Sequence, residues 1–169
     1  IKTLFTVSNG MVNDRPKIKV RKIEKKLKRL QRKASRLYIK YKGKDKSKNL
    51  IKLQKEINRL YQRKTNVLQD NVHKFTTQLI RLKPEFIAYE DLNVSGMMKN
   101  GNLARHIADC KFFEIRRQLE YKCNWYGINL IIADRWYASS KICSHCGNKK
   151  KKLSLSERIY VCEECGYTI

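Results

Sequence analysis

Four cysteines near the carboxyl end of the chain have the spacing of a metal site. Two residues separate Cys143 from Cys146 and Cys162 from Cys165, and fifteen residues lie between the pairs. Two intervening residues let one tight turn aim both thiolates at a single ion, and this paired spacing is typical of a zinc ribbon. Four thiolates complete a tetrahedron, so we predict a structural zinc ion with no position left for water.

Residues around the cysteines fit the same interpretation. Gly147 and Gly166 follow the second cysteine of each pair and favour a turn there, and residues 158–161 alternate like a strand. His145 lies inside the first pair, and we interpret it as an exposed bystander. Two disulfides are the rival interpretation, and they fit poorly with a protein that we expect in the cytoplasm.

A second candidate site is the acidic pair Glu90 and Asp91, which follows the apolar run 84–89. Asp134 ends another apolar run, 129–133, in the same way. Carboxylates at strand ends can hold divalent cations, because ligand sites in open sheets lie at those ends. From the residues alone these acids could equally be ordinary strand-exit side chains, with Asp91 and Asp134 as supporting or structural candidates.

The elements that would position these acids can be predicted from the apolar periodicity. Between the two runs, apolar residues spaced along 112–126 predict a helix that Gly127 ends, with Cys110 and Cys123 as small buried residues. Leu103 and Ile107 predict a single helical turn, and Asp109 is predicted to cap the next helix. Strand, helix and strand in this order indicate a βαβ unit and hence an α/β fold.

The amino-terminal half predicts a short β-hairpin followed by two long helices. Residues 3–8 form the first strand, Asn9-Gly10 the turn, and the alternation around Ile18 and Val20 the second strand. Apolar residues at alternating spacings of three and four then predict a helix ending at Gly43 and a second one closed by Pro84. The second stripe skips Lys64, which predicts a slip in the facing register. Together the helices form an antiparallel hairpin.

The charge balance points to a polyanionic partner. The 169 residues carry 39 Lys and Arg against 15 Asp and Glu, a formal net charge of +24, and 41% are hydrophobic, which predicts a folded chain with a basic surface. A merely solvated face is the alternative for the basic hairpin positions. The sequence contains no apolar run of about eighteen residues, the length that would predict a membrane span. We expect a cytoplasmic protein. The chain starts at Ile1 and stops just after a cysteine pair, so both ends look cut.

Five motifs in order make the chain resemble a known family. They are Tyr89-Glu90-Asp91-Leu92-Asn93-Val94 with Gly96-Met97, Leu103-Ala104-Arg105, Leu119-Glu120-Tyr121-Lys122, the segment 139–147 around the first cysteine pair, and Cys162-Glu163-Glu164-Cys165-Gly166. This series is similar to the OrfB/TnpB proteins of insertion sequences, which are called transposases and are related to type V CRISPR effector nucleases.

The resemblance implies a RuvC-like nuclease domain of the RNase H fold that lacks its first strand. Its parts would be an amino-terminal hairpin (1–17), an inserted basic antiparallel helical hairpin (18–83), the rest of the nuclease domain (84–138) and a zinc ribbon (139–169). Family members cleave DNA with a guide RNA, and three carboxylates hold two ions, usually Mg²⁺. Glu90 matches one of these carboxylates.

The resemblance also implies which basic residues contact guide RNA and DNA. The candidates are Lys25, Lys26, Lys28, Arg29, Arg32, Lys33, Arg36, Arg105, Lys141, Lys149, Lys150 and Lys151. Trp136 could stack on bases or pack at the junction between sheet and ribbon.

The chain departs from the family pattern at its catalytic aspartates. The first would lie just before Ile1 and the third just after Ile169, so we expect this chain alone not to cut DNA, and whether it is an enzyme stays open. The alternative function is a non-catalytic zinc-ribbon nucleic-acid-binding protein or a decayed transposase remnant. A ribosomal or transcription zinc-ribbon protein would not account for Glu90-Asp91-Leu92-Asn93.

Overall fold

The computed structural model describes residues 3–41, 47–154, 157 and 159–168. The described elements follow one another as β1 (Thr3–Thr6), β2 (Val12–Asp14), α1 (Lys17–Lys40), α2 (Lys48–Arg81), β3 (Phe86–Glu90), α3 (Val94–Met98), α4 (Gly101–Cys110), α5 (Phe112–Tyr126), β4 (Asn129–Ala133) and a 3₁₀ turn (Ser139–Lys141). The architecture is therefore mixed α/β, as predicted.

The predicted helical hairpin is present. The apolar seams of α1 and α2 pack together in one cluster of buried residues, formed by Ile23, Leu27, Leu30, Leu53, Ile57 and Leu60. Ser47 caps α2, because its Oγ accepts a hydrogen bond from the backbone N–H of Leu50 at 3.2 Å. The predicted end of the first helix at Gly43 lies outside the described residues, and α1 ends at Lys40.

The seam of α2 changes its partner beyond Lys64, where Val67 still packs on the cluster shared with α1. The predicted slip in the facing register stays a prediction. Before Lys64 the buried residues of α2 face α1. After it Val72, Phe75 and Leu79 pack against Ile115 of α5 in a second cluster. One continuous helix thus contributes to two apolar clusters in succession.

The prediction of the second strand of the amino-terminal hairpin was wrong. The strand is Val12–Asp14, antiparallel to β1, and α1 already begins at Lys17. Ile18 is 75% exposed, whereas Val20 is buried on the helical seam. Pro16 immediately precedes the helix, where a residue without an N–H costs nothing, and the short alternation after it belongs to the first helical turn.

Helices α4 and α5 meet at a sharp backbone reversal. Lys111 adopts φ +56° between them, which is the left-handed region. Helix α4 has ten residues rather than a single turn. Asp109 lies inside α4 and is buried, so it does not cap α5 as we predicted. Its charge instead pairs with basic side chains of distant segments. Cys110 and Cys123 are buried, as predicted.

The predicted βαβ unit is present in β3, α5 and β4. The two strands are parallel, with Glu90 opposite Ala133 at the end of the ladder. Gly127 ends α5 with φ +65°, as predicted. Both sheets pack on the second cluster, where the ring of Phe5 in β1 stacks on that of Phe75 at 5.6 Å. Among the described residues β1–β2 and β3–β4 remain separate two-stranded sheets.

Candidate active site and metal centre

Three acidic residues line a cavity at the carboxyl edge of the β3–β4 pair. Because these strands are parallel, their carboxyl ends lie at one edge, and a cavity of about 480 Å³ opens there. Glu90, Asp91 and Asp134 are among the residues that line it. Ile87 and Tyr89 point into the core on alternate positions of β3, which leaves Glu90 on the exposed face.

The Glu90 carboxylate is available to a ligand. It has no hydrogen-bond or ion-pair partner within the described part of the chain. Its neighbour Tyr89 is held from the other side, where the hydroxyl donates a hydrogen bond to the backbone carbonyl of Phe112 at 3.3 Å. Burial raises the pKa of the Tyr89 hydroxyl to about 12, so it stays protonated at neutral pH. Tyr89 therefore anchors the strand and leaves Glu90 free.

Asp91, in contrast, is fully engaged by two arginines. Arg116 of α5 donates from Nη1 to Oδ1 at 3.0 Å, and Arg135 donates from Nη2 to Oδ2 at 2.7 Å. Arg135 also donates from Nε to the Asp91 carbonyl, and the Asp91 N–H donates to the carbonyl of Ala133. This set, which we call the Asp91 clamp, ties β3, α5 and the end of β4 together. Asp91 thus has the structural role that the sequence had left open.

Asp134 shapes the loop after β4. Its Oδ1 accepts a hydrogen bond from the backbone N–H of Trp136 at 2.7 Å, which closes an Asx turn. Trp136 is 86% exposed and Tyr137 is 59% exposed. The interpretation that Trp136 packs at the junction between sheet and ribbon is therefore wrong.

The four predicted cysteines converge. Their sulfurs all lie within 4.8 Å of one another, with 3.6 Å between Cys143 and Cys165 and 3.5 Å between Cys146 and Cys162. Four zinc–sulfur bonds of about 2.3 Å give a tetrahedron with edges of about 3.8 Å, and a disulfide bond would bring two sulfurs to about 2.05 Å. The cluster has the dimensions of a tetrahedral thiolate site for zinc.

The two halves of this centre repeat the same backbone geometry. Gly147 donates to the carbonyl of Cys143, and Gly166 donates to that of Cys162, each glycine with a positive φ. The N–H of Cys165 lowers the pKa of Cys162 to about 6, which favours the thiolate that a metal requires. Arg158 lies outside the described residues, so the strand predicted over 158–161 is not seen in full. Instead, isolated bridges join Ile142 to Lys149 and Val161 to Thr168. His145 is exposed, and its ring stacks on Tyr167.

The predicted nucleic-acid-binding side chains are divided between two faces of α1 and the ribbon. Lys25 and Lys28 face α4, whereas Lys26 lies beyond the apolar seam, where it pairs with Glu56 at 2.8 Å. The remaining candidates of α1 are also exposed: Arg29, Arg32, Lys33 and Arg36. In the ribbon Lys149 and Lys151 are exposed, while Lys141 and Lys150 are half-buried. Arg105 is 67% exposed on α4 and faces α1.

One polar cluster was not foreseen from the sequence. Glu24 of α1 forms ion pairs with Arg15, Lys64 and Arg105 at 2.8 to 3.0 Å. Asp109 forms ion pairs with Arg15 and Lys64. Burial opposes ionisation of Glu24, but the hydrogen bonds and charges of Lys64 and Arg105 outweigh it and lower the pKa of this carboxyl. We call this set the ion-pair network. Two irregularities signalled it: Glu24 is the one acid within Lys17–Lys40, and Lys64 interrupts an apolar stripe.

Comparison with known proteins decides the family. The model of a family described as "Probable transposase", OrfB_IS605, matches residues 1–101. The chain belongs to this OrfB_IS605 family. A second model, the Cas12f1-like TNB domain, matches residues 112–169 and so covers the cysteine cluster.

Relatives of this OrfB_IS605 chain have informative names. It is 40% identical to a "Putative RNA-guided DNA endonuclease" of Streptomyces pristinaespiralis over 98% of its own length and 39% of the relative. It is 34% identical to the "Putative RNA-guided DNA endonuclease InsQ" of Escherichia coli K12 over 98% of its length and 42% of the relative. A match of 30% identity covers 38% of the chain and 15% of "CRISPR-associated endodeoxyribonuclease Cas12f1" from Sulfoacidibacillus thermotolerans.

The chain thus spans about two fifths of the first two relatives. Within the described residues no helix has both the length and the apolarity that a membrane crossing requires.

Proposed function

We propose that this chain is the RuvC-like, RNase H-fold portion of an RNA-guided DNA endonuclease that belongs to an insertion sequence. The names of the relatives support this class of activity. The observation that carries the proposal is the free carboxylate of Glu90 at the carboxyl edge of a parallel strand pair, beside an aspartate that two arginines already occupy. A carboxylate that has no partner within the protein can bind a metal cation, or can accept a proton from a substrate.

The donor chemistry at this edge fits Mg²⁺, which prefers oxygen ligands. Glu90 would hold the ion directly, with Asp134 in the same cavity. A pair of divalent ions supplies the activation of water and the stabilisation of the leaving oxygen in phosphodiester hydrolysis. Among the described residues no cluster of three carboxylates is present, and the cysteines form the one metal-sized group. In this proposal Glu90 supplies one ligand of such a centre, and further segments of a longer parent protein supply the others.

The two separate sheets also support the proposal that this chain is one portion of a nuclease domain. They pack on one apolar cluster but share no backbone ladder in the described chain. A further strand of the longer protein between β1 and β3 would join them into the mixed sheet of an RNase H fold. The segments 1–17 and 84–138 then make up the nuclease domain, and 18–83 is a helical insertion.

The cysteine cluster gives the segment 139–169 its proposed role as a zinc ribbon. A tetrahedral site with four thiolates has no open coordination position, so zinc acts there by holding the fold. The exposed lysines of the ribbon, together with those of α1, make contacts to guide RNA and DNA in this proposal. Their attraction to phosphates does not depend on sequence, which suits a protein whose specificity comes from a guide.

A specific observation also favours a second candidate function for the isolated chain. The exposed lysines and arginines of α1 and the ribbon support a chain that binds nucleic acid, whether or not it takes part in cutting it. The two candidates differ in what Glu90 does in the longer protein.

The test is a Glu90→Gln substitution in the longer protein, with DNA cleavage and nucleic-acid binding measured separately. We expect cleavage to fall by about a hundredfold or more, because a metal ion contributes several kcal/mol to stabilisation of the transition state. Binding should stay unchanged. Glu85→Gln is the matched control, since Glu85 is an exposed glutamate next to the opposite end of β3. Equal cleavage by both variants would remove Glu90 from the active site.

A further inference from the structure

A deep groove separates the helical hairpin from α4. Its volume is about 770 Å³, and it is larger than the cavity at the end of the β3–β4 pair. Helix α1 forms one wall, α4 and Lys111 form the other, and residues of α2 form the floor. We call this the α1–α4 groove. Its lining shares no residue with the cavity beside Glu90 or with the four cysteines.

The charge in the groove is strongly positive. Six basic side chains and two acidic ones line it, an excess of four positive charges. Both acids belong to the ion-pair network and are neutralised there. Four of the bases form no ion pair with any residue that the structure describes: Arg21, Lys25, Lys28 and Lys111. These four have no acidic partner to give up when an external anion arrives.

The ion-pair network holds the walls at a fixed separation. Lys64 on the floor pairs with Glu24 of α1 at 3.0 Å and with Asp109 of α4 at 2.8 Å, and its side chain is only 12% exposed. Both walls are thus tied to one buried ammonium group. Because its walls are already fixed, the groove loses little backbone entropy when it binds a ligand, which favours affinity.

The opposite side of α1 lacks this arrangement. There Lys19, Lys22 and Lys26 of α1 and Arg63 of α2 border a smaller cavity of about 440 Å³ between the two helices, without a wall from a third element. Lys26 is also paired with Glu56. The two sides of α1 carry equal numbers of basic residues but differ in geometry. The basic residues on one side face α4, whereas those on the other side project into solvent.

We propose that the α1–α4 groove binds the phosphodiester backbone of one polynucleotide strand. The groove would select for the phosphates, not the bases, because its unpaired groups are cations on long side chains. This inference rests on the proposed nucleic-acid-binding function and assigns it to one face of the hairpin. Arg21 and Lys111 join the binding residues, and the far face of α1 contributes little.

The experiment compares two triple variants of the same chain with equal changes in charge. Arg21→Gln, Lys25→Gln and Lys28→Gln remove positive charges from the groove wall, whereas Lys19→Gln, Lys22→Gln and Arg63→Gln remove them from the far face. Each set removes one arginine and two lysines that are all exposed. Fluorescence anisotropy with short single-stranded RNA and, separately, DNA gives the affinity as salt rises from about 50 to 200 mM.

We expect the groove variant to bind at least about tenfold more weakly than the far-face variant at 0.1 M salt. Its plot of log affinity against log salt should be shallower, with a negative slope smaller in magnitude by roughly 2. Each lost phosphate contact reduces that magnitude by about 0.7 for a single strand. A third variant, Arg105→Gln with Lys111→Asn, tests the other wall, and Asn tolerates the left-handed backbone at position 111. It should also weaken binding, with circular dichroism showing an intact fold.

The outcomes separate the two proposals. The groove is not the binding site if the groove and far-face variants bind equally, or if the variant with Arg105→Gln and Lys111→Asn binds like the unmodified chain. In either case the protein still binds nucleic acid. If the unmodified chain shows no salt-dependent binding of either polymer, both the groove and the proposed nucleic-acid function fail. A groove effect with RNA alone or DNA alone supports the proposal and names the strand.

Discussion

Asp109 allows a quantitative test, because its two interpretations predict different energies. Read from the sequence, it caps a helix, and serine caps as well as aspartate, so Asp109→Ser would cost almost nothing. In the structure it is buried and pairs with Arg15 and Lys64, whose side chains are 16% and 12% exposed. Removing one partner of a buried ion pair costs about 3 to 5 kcal/mol, since the other charges lose their compensation. Glu24 remains beside both cations, so we expect the lower end, about 3 kcal/mol.

Urea unfolding followed by circular dichroism measures this difference, because α1 and α2 supply most of the helical signal. A loss of about 3 kcal/mol with a slope of about 2 kcal/mol per molar corresponds to a midpoint about 1.5 M lower in urea. Zinc is kept in excess so that the ribbon stays folded throughout. Asp70→Ser is the control, since Asp70 is 58% exposed and its one ion-pair partner among the described residues is Lys74 on the same helix. We expect it to cost less than about 1 kcal/mol.

A second substitution shows whether the cost comes from Lys64. Lys64→Leu places an apolar residue where the seam of α2 is interrupted and removes the buried ammonium group. In that background Asp109→Ser should cost at least about 1 kcal/mol less than in the unmodified chain, because the two residues are coupled. Strict additivity, or an Asp109→Ser midpoint equal to that of Asp70→Ser, would refute the account of a buried ion-pair network.

Three further outcomes follow from the other polar centres. The purified chain should contain one zinc ion, and Cys162→Ser should abolish zinc binding by elemental analysis while the helical signal persists. Asp91→Asn should lower the free energy of unfolding in urea by about 1 kcal/mol, because it weakens two partly exposed ion pairs. Asp134→Asn is the control. If the two substitutions change the free energy of unfolding equally, the Asp91 clamp does not stabilise the fold. The hydrogen bond from Arg117 lowers the pKa of Glu114 from 4.5 to about 2. This carboxylate therefore stabilises the fold above about pH 4.5, and the stabilisation is lost as pH falls towards 2. In Glu114→Gln the urea midpoint should change less with pH over that range than in the unmodified chain. If the two proteins show the same dependence of midpoint on pH, the prediction is wrong.

The parts of the fold that could be predicted from sequence are those fixed by local periodicity. The two seams of the hairpin, the helix ending at Gly127 and the strand after it all depend on apolar residues that repeat at the period of one element. The cysteine spacing likewise contains the whole geometry of a tight turn, so the cluster was predicted down to its four sulfurs. Family membership was confirmed because several such motifs occur in order.

The parts that failed depend on contacts between distant segments. Asp109 looks like a cap because the apolar face shifts beside it, but the reversal occurs two residues later, at Lys111. Its buried charge is satisfied by residues 94 and 45 positions away in sequence, which no local pattern contains. The short strand Val12–Asp14 escaped for a related reason, since three residues carry almost no periodic signal.

The two proposed sites, the α1–α4 groove for binding and Glu90 for cleavage, are held in place by different residues. The α1–α4 groove is built from helices and fixed by Lys64, whereas Glu90 stands at a sheet edge fixed by the Asp91 clamp, and the two fixing sets share no residue. Charge removal in the groove should therefore raise the nucleic-acid concentration at which the longer protein reaches half its maximal cleavage rate, and leave that maximal rate unchanged. Glu90→Gln should do the reverse. A groove variant that lost its maximal rate at saturating substrate would mean that the groove and the sheet edge act as one site, and the division drawn from the structure would be wrong.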